Sequence, residues 1–139
     1  MNPGTISLVR HSWQQARGLG PQVGALFYQQ LFAADPTLRP LFRGDMDQQS
    51  TRLLQMIGAA VDRLDDLDTL QPVLLHLGQR HAGYGVQPGH YPTVGVALLA
   101  TLQQGLGAAC TPAVQAAWAE VYGVLSGVML AGAALPADA

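Results

Sequence analysis

The chain has 139 residues, of which 49% are apolar and only 12% are charged, so it is long and apolar enough to fold around a sizeable core. The formal net charge is −2, and all seven basic residues are arginines spread along the chain, which argues against binding to nucleic acid or to an acidic membrane surface. Cys110 is the single cysteine, which excludes an intrachain disulfide and is typical of a reducing compartment.

The ends of the chain predict neither a signal peptide nor a membrane span. The first five residues lack a basic segment followed by an apolar one. The longest uncharged apolar stretch, residues 121–135, is shorter than the ~20 residues that a membrane-spanning helix needs. We therefore expect a soluble, cytoplasmic protein made of one domain, residues 1–139.

Apolar residues recur at intervals of three and four, which predicts an all-α fold with about six long helices and one or two short ones. Thr5 is a candidate N-cap for the first helix, and Pro21 suits the first turn of the second. A short helical turn is expected over residues 36–42, and a long amphipathic helix over residues 46–64. Thr111, followed directly by a proline, is the clearest start signal, and it opens the last helix.

A helix predicted over residues 70–82 carries the most informative residue, His81, just before a glycine-rich break. Val73, Leu77 and His81 are spaced four and four, which predicts that His81 lies on the buried face. A single histidine at a helix end is more often a capping or surface residue, so the rest of the chain has to supply its role. A further helix, containing Pro92 in its first turn, follows the break.

The whole sequence resembles the bacterial single-domain globins and the globin domain of flavohaemoglobins. Each matching segment is weak alone, and their order and spacing together are specific. They are residues 26–28, 41–42, 46–54, 80–81, 90–95, 117–118 and 121–124.

The resemblance implies a globin fold around haem b, with His81 as the ligand of the iron. A proximal histidine of this kind leaves the opposite face of the haem open to a diatomic gas. The other ring nitrogen of His81 needs an acceptor, and the carbonyl of Leu77, one turn earlier, is the nearest candidate. Tyr91 matches a tyrosine that lies near the proximal histidine in this family. In this family a carboxylate from the last helix often completes the set of residues around the proximal histidine. Residues 130–133 contain no acid here, so we expect His81 to have little imidazolate character and to donate less electron density to the iron.

On the other face of the haem, Tyr28 resembles the tyrosine that points at the bound gas, and Gln49 occupies the position of the vertebrate distal histidine. Two neutral donors of this kind are expected to stabilise a bound gas by about 1 kcal/mol each. Phe42 resembles the phenylalanine that stacks on the macrocycle, and Leu53, one turn after Gln49, would wall the pocket. The alternatives are ordinary core packing for Tyr28 and Phe42, and a surface position for Gln49 if the register shifts by one to Gln48.

Other polar residues have weaker assignments. Arg52 and Arg80 either pair with the haem propionates or face solvent. His76 lies roughly 140° around the helix from His81 and cannot share its direction. His90 is expected at the corner before the next helix, where it is either exposed or near the haem edge. No histidine lies between residues 11 and 76, so we expect the sixth position of the iron to be vacant or weakly occupied.

The resemblance implies reversible binding of O2, and of NO and CO, at a five-coordinate ferrous haem. An alternative is a nitric oxide dioxygenase that makes nitrate from NO and O2; since no flavin or nicotinamide domain is expected in 139 residues, an external reductase would supply its electrons. A haem-based gas sensor would need an output domain or a partner surface. If the protein were a helical scaffold without haem, the match between these residues and a haem pocket would be a coincidence.

Overall fold

Six α-helices and two short 3-10 helices make up the protein in the computed structural model, which describes residues 1–135. No strand occurs within these residues, which confirms the all-α prediction and the number of helices. The long helices are α1 (Pro3–Arg17), α2 (Gln22–Ala34), α3 (Met46–Asp62), α4 (Leu67–Gly83), α5 (His90–Leu106) and α6 (Pro112–Ala133), and the 3-10 helices are Pro36–Leu41 and Gly107–Ala109.

Side-chain caps mark the starts of α1, α3, α4 and α6. The hydroxyl of Thr111 accepts a hydrogen bond from the amide of Val114 at 3.2 Å and starts α6 as predicted. The predicted start of α1 at Thr5 is wrong, because Asn2 is the cap and accepts from the amide of Thr5 at 2.8 Å. Pro3, at the first helical position, has its φ already fixed for a helix, so the earlier cap is favoured.

The core divides into three groups of buried side chains. In the first, Trp13 and Trp118 meet edge to face with ring centroids 6.1 Å apart, joining α1 to α6. In the second, Tyr28 is packed among residues of α2, the 3-10 helix Pro36–Leu41, α3 and α5. The third and smallest group joins α3, α4 and α6. The second group contains Tyr28, Phe42 and Leu53, and the C-terminal half of α4 contains His81.

Among the described helices, α6 is the one that is long and apolar enough, by length and composition alone, to cross a membrane. It has 22 residues, so the helix is longer than the apolar stretch on which the sequence-based expectation rested. Core helices of globular proteins pass the same test. Here α6 packs along α4 and α1, and its Glu120 accepts a hydrogen bond from the hydroxyl of Thr5.

Candidate haem site

The imidazole of His81 is half-buried near the C-terminal end of α4, and its orientation is fixed by the backbone. Its Nδ1 lies 2.8 Å from the carbonyl oxygen of Leu77, which confirms the acceptor expected from the sequence. A hydrogen bond to a carbonyl requires the proton on Nδ1, so Nε2 carries the free lone pair. Burial lowers the pKa of His81, and the nearby Arg80 lowers it further, against the opposing effect of the Leu77 carbonyl. The neutral, metal-binding form is therefore favoured.

The glycine-rich break after His81 closes α4 with a tight cap. The amide of Val86 donates to the carbonyl of His81 at 3.0 Å, and the amide of Gly85 donates to that of Ala82 at 3.1 Å. This pair of bonds is the Schellman arrangement, which needs a residue with positive φ; Gly85 has φ +98°. The cap ties the backbone of His81 to the start of the following corner.

The face of α4 that packs in the core differs from the prediction. Leu70, Leu74 and Gly78 are buried, whereas Val73 is 58% exposed, so its predicted burial is wrong. Four residues turn a helix by about 400°, so two residues spaced by four are offset by about 40° around the helix axis. After two steps Val73 lies about 80° from His81, away from the face that packs against α6.

Tyr91, at the start of α5, is buried, yet its hydroxyl has no hydrogen-bond partner among the described residues. Its carbonyl accepts from the hydroxyl of Tyr122 at 2.6 Å, a contact between α5 and α6 that no local pattern in the sequence predicts. Burial raises the pKa of Tyr91, so the phenol is a neutral donor. An unpaired buried hydroxyl costs about 1–3 kcal/mol, so the Tyr91 hydroxyl is available to donate to a polar group placed beside it.

Carboxylates are absent from this side of the site within the described residues. Helix α5 contains none, and the single acid of α6, Glu120, is bonded to Thr5. The backbone carbonyl of Leu77 is thus the acceptor on Nδ1 of His81.

Tyr28 lies in an aromatic group on α2 and the chain before α3. Its ring is 5.2 Å from that of Phe42, edge to face, and 5.9 Å from that of Phe32, stacked. Burial raises the pKa of Tyr28 to about 12, so its hydroxyl remains a proton donor. The hydroxyl lies 3.5 Å from the backbone carbonyl of Gln49, a long hydrogen bond that leaves it able to serve another acceptor.

The side chain of Gln49 does not meet the Tyr28 hydroxyl in this structure. Its amide nitrogen donates to the carbonyl of Arg43 at 3.1 Å, at the corner before α3. The structure therefore brings Tyr28 and Gln49 together through the Gln49 backbone, with the carboxamide directed to the corner.

Phe42 and Leu53 are half-buried and pack in the same apolar group as Tyr28. A Cβ added to Gly85 would lie 3.3 Å from the side chain of Leu41, so the corner after His81 approaches the residue next to Phe42. These contacts gather the predicted apolar lining in one region.

Arg52 and Arg80 are both exposed. Arg80 donates to the hydroxyl of Tyr84 at 3.0 Å, and Arg52 lies on the outer face of α3 beside Gln48 and Gln55. Neither forms a salt bridge among the described residues, where the one ion pair is between Arg10 and Asp65.

The residues present fit a haem better than a bare metal ion. Within residues 1–135 no group of three or more His, Cys, Asp or Glu side chains could hold an ion. A metal bound through Nε2 of His81 would therefore take its other ligands from outside these side chains, and a porphyrin is a group that supplies them. The unpaired Tyr91 hydroxyl and the half-buried Phe42 and Leu53 supply the mixed polar and apolar contacts that such a group requires.

The comparisons with known proteins agree on one family. The family model for globins matches residues 25–129. The chain is 34% identical to neuroglobin of Danio rerio, over 90% of this chain and 87% of that protein. It is 31% identical to the flavohemoprotein of Bacillus subtilis over 88% of this chain, and it spans 31% of that protein's length.

Solved structures show the same fold. An engineered carbene transferase from Rhodothermus marinus, derived from a proposed nitric oxide dioxygenase, superposes with a TM-score of 0.85 at 28% identity, covering 96% of this chain and 94% of that one. A bacterial globin from Campylobacter jejuni gives a TM-score of 0.82 at 22% identity, covering 95% and 96% of the two chains.

Proposed function

The chain belongs to the globin family, whose members bind haem, and on that premise we propose that it binds O2 reversibly at a five-coordinate ferrous haem b held by His81. The observation that carries this proposal is the His81 imidazole, whose Nδ1 is engaged by the Leu77 carbonyl and whose Nε2 is free to bind a metal. The haem would supply an iron atom with one open face for O2, NO or CO.

The protein's own residues have distinct roles in this proposal. His81 holds the cofactor and stays neutral because its pKa is lowered. The Tyr28 hydroxyl, neutral and only weakly engaged by the Gln49 carbonyl, would be the donor available to a gas that the haem holds. Phe42 and Leu53 supply apolar surface in the same region. The Tyr91 hydroxyl, unpaired among protein groups, donates to the cofactor or its polar edge. Arg52 and Arg80 are exposed, and Arg80 would have to give up its bond to the Tyr84 hydroxyl to pair with a haem propionate.

The test starts with the purified, haem-loaded protein. A Soret band, a five-coordinate ferrous spectrum and reversible O2 binding in stopped-flow measurements are expected. If no stable haem complex forms, the proposal is wrong.

A second candidate function is nitric oxide dioxygenation, in which NO, O2 and one electron give nitrate. Two observations favour it: the similarity to a flavohemoprotein and to the Rhodothermus marinus protein, and a buried tyrosine donor suited to retaining O2. The electron would come from a separate reductase. Turnover of NO to stoichiometric nitrate with an added reductase would support the enzyme, whereas fast O2 exchange without reduction of ferric haem would support the carrier.

A further inference from the structure

Helices α4 and α6 approach each other so closely that backbone meets backbone. A Cβ added to Gly78 would lie 2.6 Å from the carbonyl carbon of Met129, and nearer still to its oxygen. A Cβ added to Gly132 would lie 2.6 Å from the carbonyl carbon of Leu75, again nearer to its oxygen. Real Cβ atoms essentially never come within 3.0 Å of such atoms, so neither glycine accepts a side chain unless the helices separate.

These two contacts, Gly78 with Met129 and Leu75 with Gly132, form what we call the α4–α6 seam. The residue numbers rise along α4 and fall along α6, so the helices are antiparallel there. Each glycine Cα faces a carbonyl oxygen, an arrangement typical of weak Cα–H···O bonds. Because the neighbour is backbone in both cases, no change of side-chain rotamer can relieve a clash. The seam therefore fixes the distance between the two helices.

The seam lies in the turn of α4 that precedes the proposed iron ligand. The Leu77 carbonyl, which holds Nδ1 of His81, sits between the two contacts along the chain. Helix α4 packs chiefly against α6, whereas Val73 and Tyr84 on its other side are 58% and 61% exposed. A displacement of the seam would therefore move the carbonyl and the imidazole together, with little resistance from the exposed side.

We propose that Gly78 and Gly132 are positioning residues, which set the place of the His81 imidazole relative to the haem by holding α4 directly against the α6 backbone. This inference rests on the proposed function, because it assigns the glycines a role through the iron ligand. If the two glycines only stabilised the packing of the apoprotein, their substitution would not change the bond between His81 and iron in the haem-loaded protein.

The test compares four alanine substitutions in the same two helices. Gly78→Ala and Gly132→Ala introduce the clashes, whereas Gly83→Ala on α4 and Gly127→Ala on α6 add a Cβ with nothing within 4 Å. Alanine in an open helical position stabilises by up to about 1 kcal/mol, so the control variants should keep or raise Tm. The seam variants should lower Tm despite the same change in helix propensity.

The decisive measurements are made on the ferrous, haem-loaded proteins. Both seam variants should shift the iron–histidine stretching band and speed haem loss on the order of tenfold, while the controls keep both unchanged. If Gly78→Ala does not fold, Gly132→Ala, which lies near the end of α6, carries the same comparison. An unchanged band and rate of haem loss in a folded seam variant would limit the seam to packing and overturn the positioning role, with haem binding intact. Failure of the unaltered protein to bind haem would instead overturn the proposed function.

Discussion

The two sides of the candidate site are held by different kinds of contact. Around His81 the partners are backbone atoms, namely the Leu77 carbonyl and the seam with α6. Around Tyr28 the partners are mainly side chains, with Phe32 and Phe42 in contact with its ring. Backbone contacts fix a position and tolerate few substitutions, whereas packed side chains can be exchanged one at a time. Substitutions near His81 should therefore affect whether the protein binds haem. Substitutions near Tyr28 should affect how strongly the haem-loaded protein binds a gas.

The largest effect is expected from His81→Ala, which removes the proposed iron ligand. Stable haem binding should be lost, as measured by the Soret band after gel filtration. The control variants His76→Ala and His90→Ala should bind haem normally, since His76 is exposed and His90 Nδ1 accepts from the amide of Gln87. A normal five-coordinate ferrous spectrum in the His81 variant would show that another residue is the ligand.

A smaller effect is expected from Tyr28→Phe, which keeps the ring packing and removes the hydroxyl. Loss of one hydrogen bond of about 1–1.5 kcal/mol should speed O2 dissociation roughly five- to tenfold. Tyr84→Phe, which removes an exposed hydroxyl bonded to Arg80, is the matched control and should leave the rate unchanged. An unaltered rate in the Tyr28 variant would remove this residue from the gas-binding assignment.

Gln49→Leu should change O2 dissociation less than Tyr28→Phe does. The Gln49 amide must give up its bond to the Arg43 carbonyl before it can face a gas, and that loss offsets most of the gain. We expect a change within about threefold, with the exposed Gln48→Leu as the control. If Gln49→Leu has the larger effect, the carboxamide faces the gas in the haem-loaded protein and the ranking of the two donors is reversed.

The last effect is on the stability of the protein at alkaline pH and does not involve haem or gas binding. The pKa of Tyr28 is about 12 in the folded protein against 10.0 for the free side chain, so the unfolded chain loses this proton first. The free energy of unfolding therefore falls as the pH rises above about 10, and the part of this fall that is due to Tyr28 is complete near pH 12. Up to about pH 10, O2 dissociation should be independent of Tyr28 ionisation. Comparison of urea unfolding of the Tyr28→Phe variant and the unaltered protein should show a shallower alkaline loss in the variant; equal slopes would contradict the burial of the phenol.

Local geometry was predictable from the sequence alone. The number and type of helices, the Thr111 cap and the bond from His81 to the Leu77 carbonyl all follow from interactions between residues a few positions apart. The resemblance to globins also selected residues that the fold gathers in one group, such as Tyr28, Phe42 and Leu53. Boundaries were less secure where two caps compete, as with Asn2 and Thr5.

Tertiary packing decided what the sequence left open. The direction of the Gln49 amide depends on the Arg43 carbonyl, and the exposure of Val73 depends on which face of α4 meets α6. The seam joins Gly78 to Met129, residues that no local pattern relates, and a glycine in a helix gives no sign of its partner. The sequence thus determined the helices and the contact that orients the His81 imidazole, because these depend on neighbours along the chain. The distance between helices, which positions that residue, is set by backbone contacts between distant segments and is decided only when the chain folds.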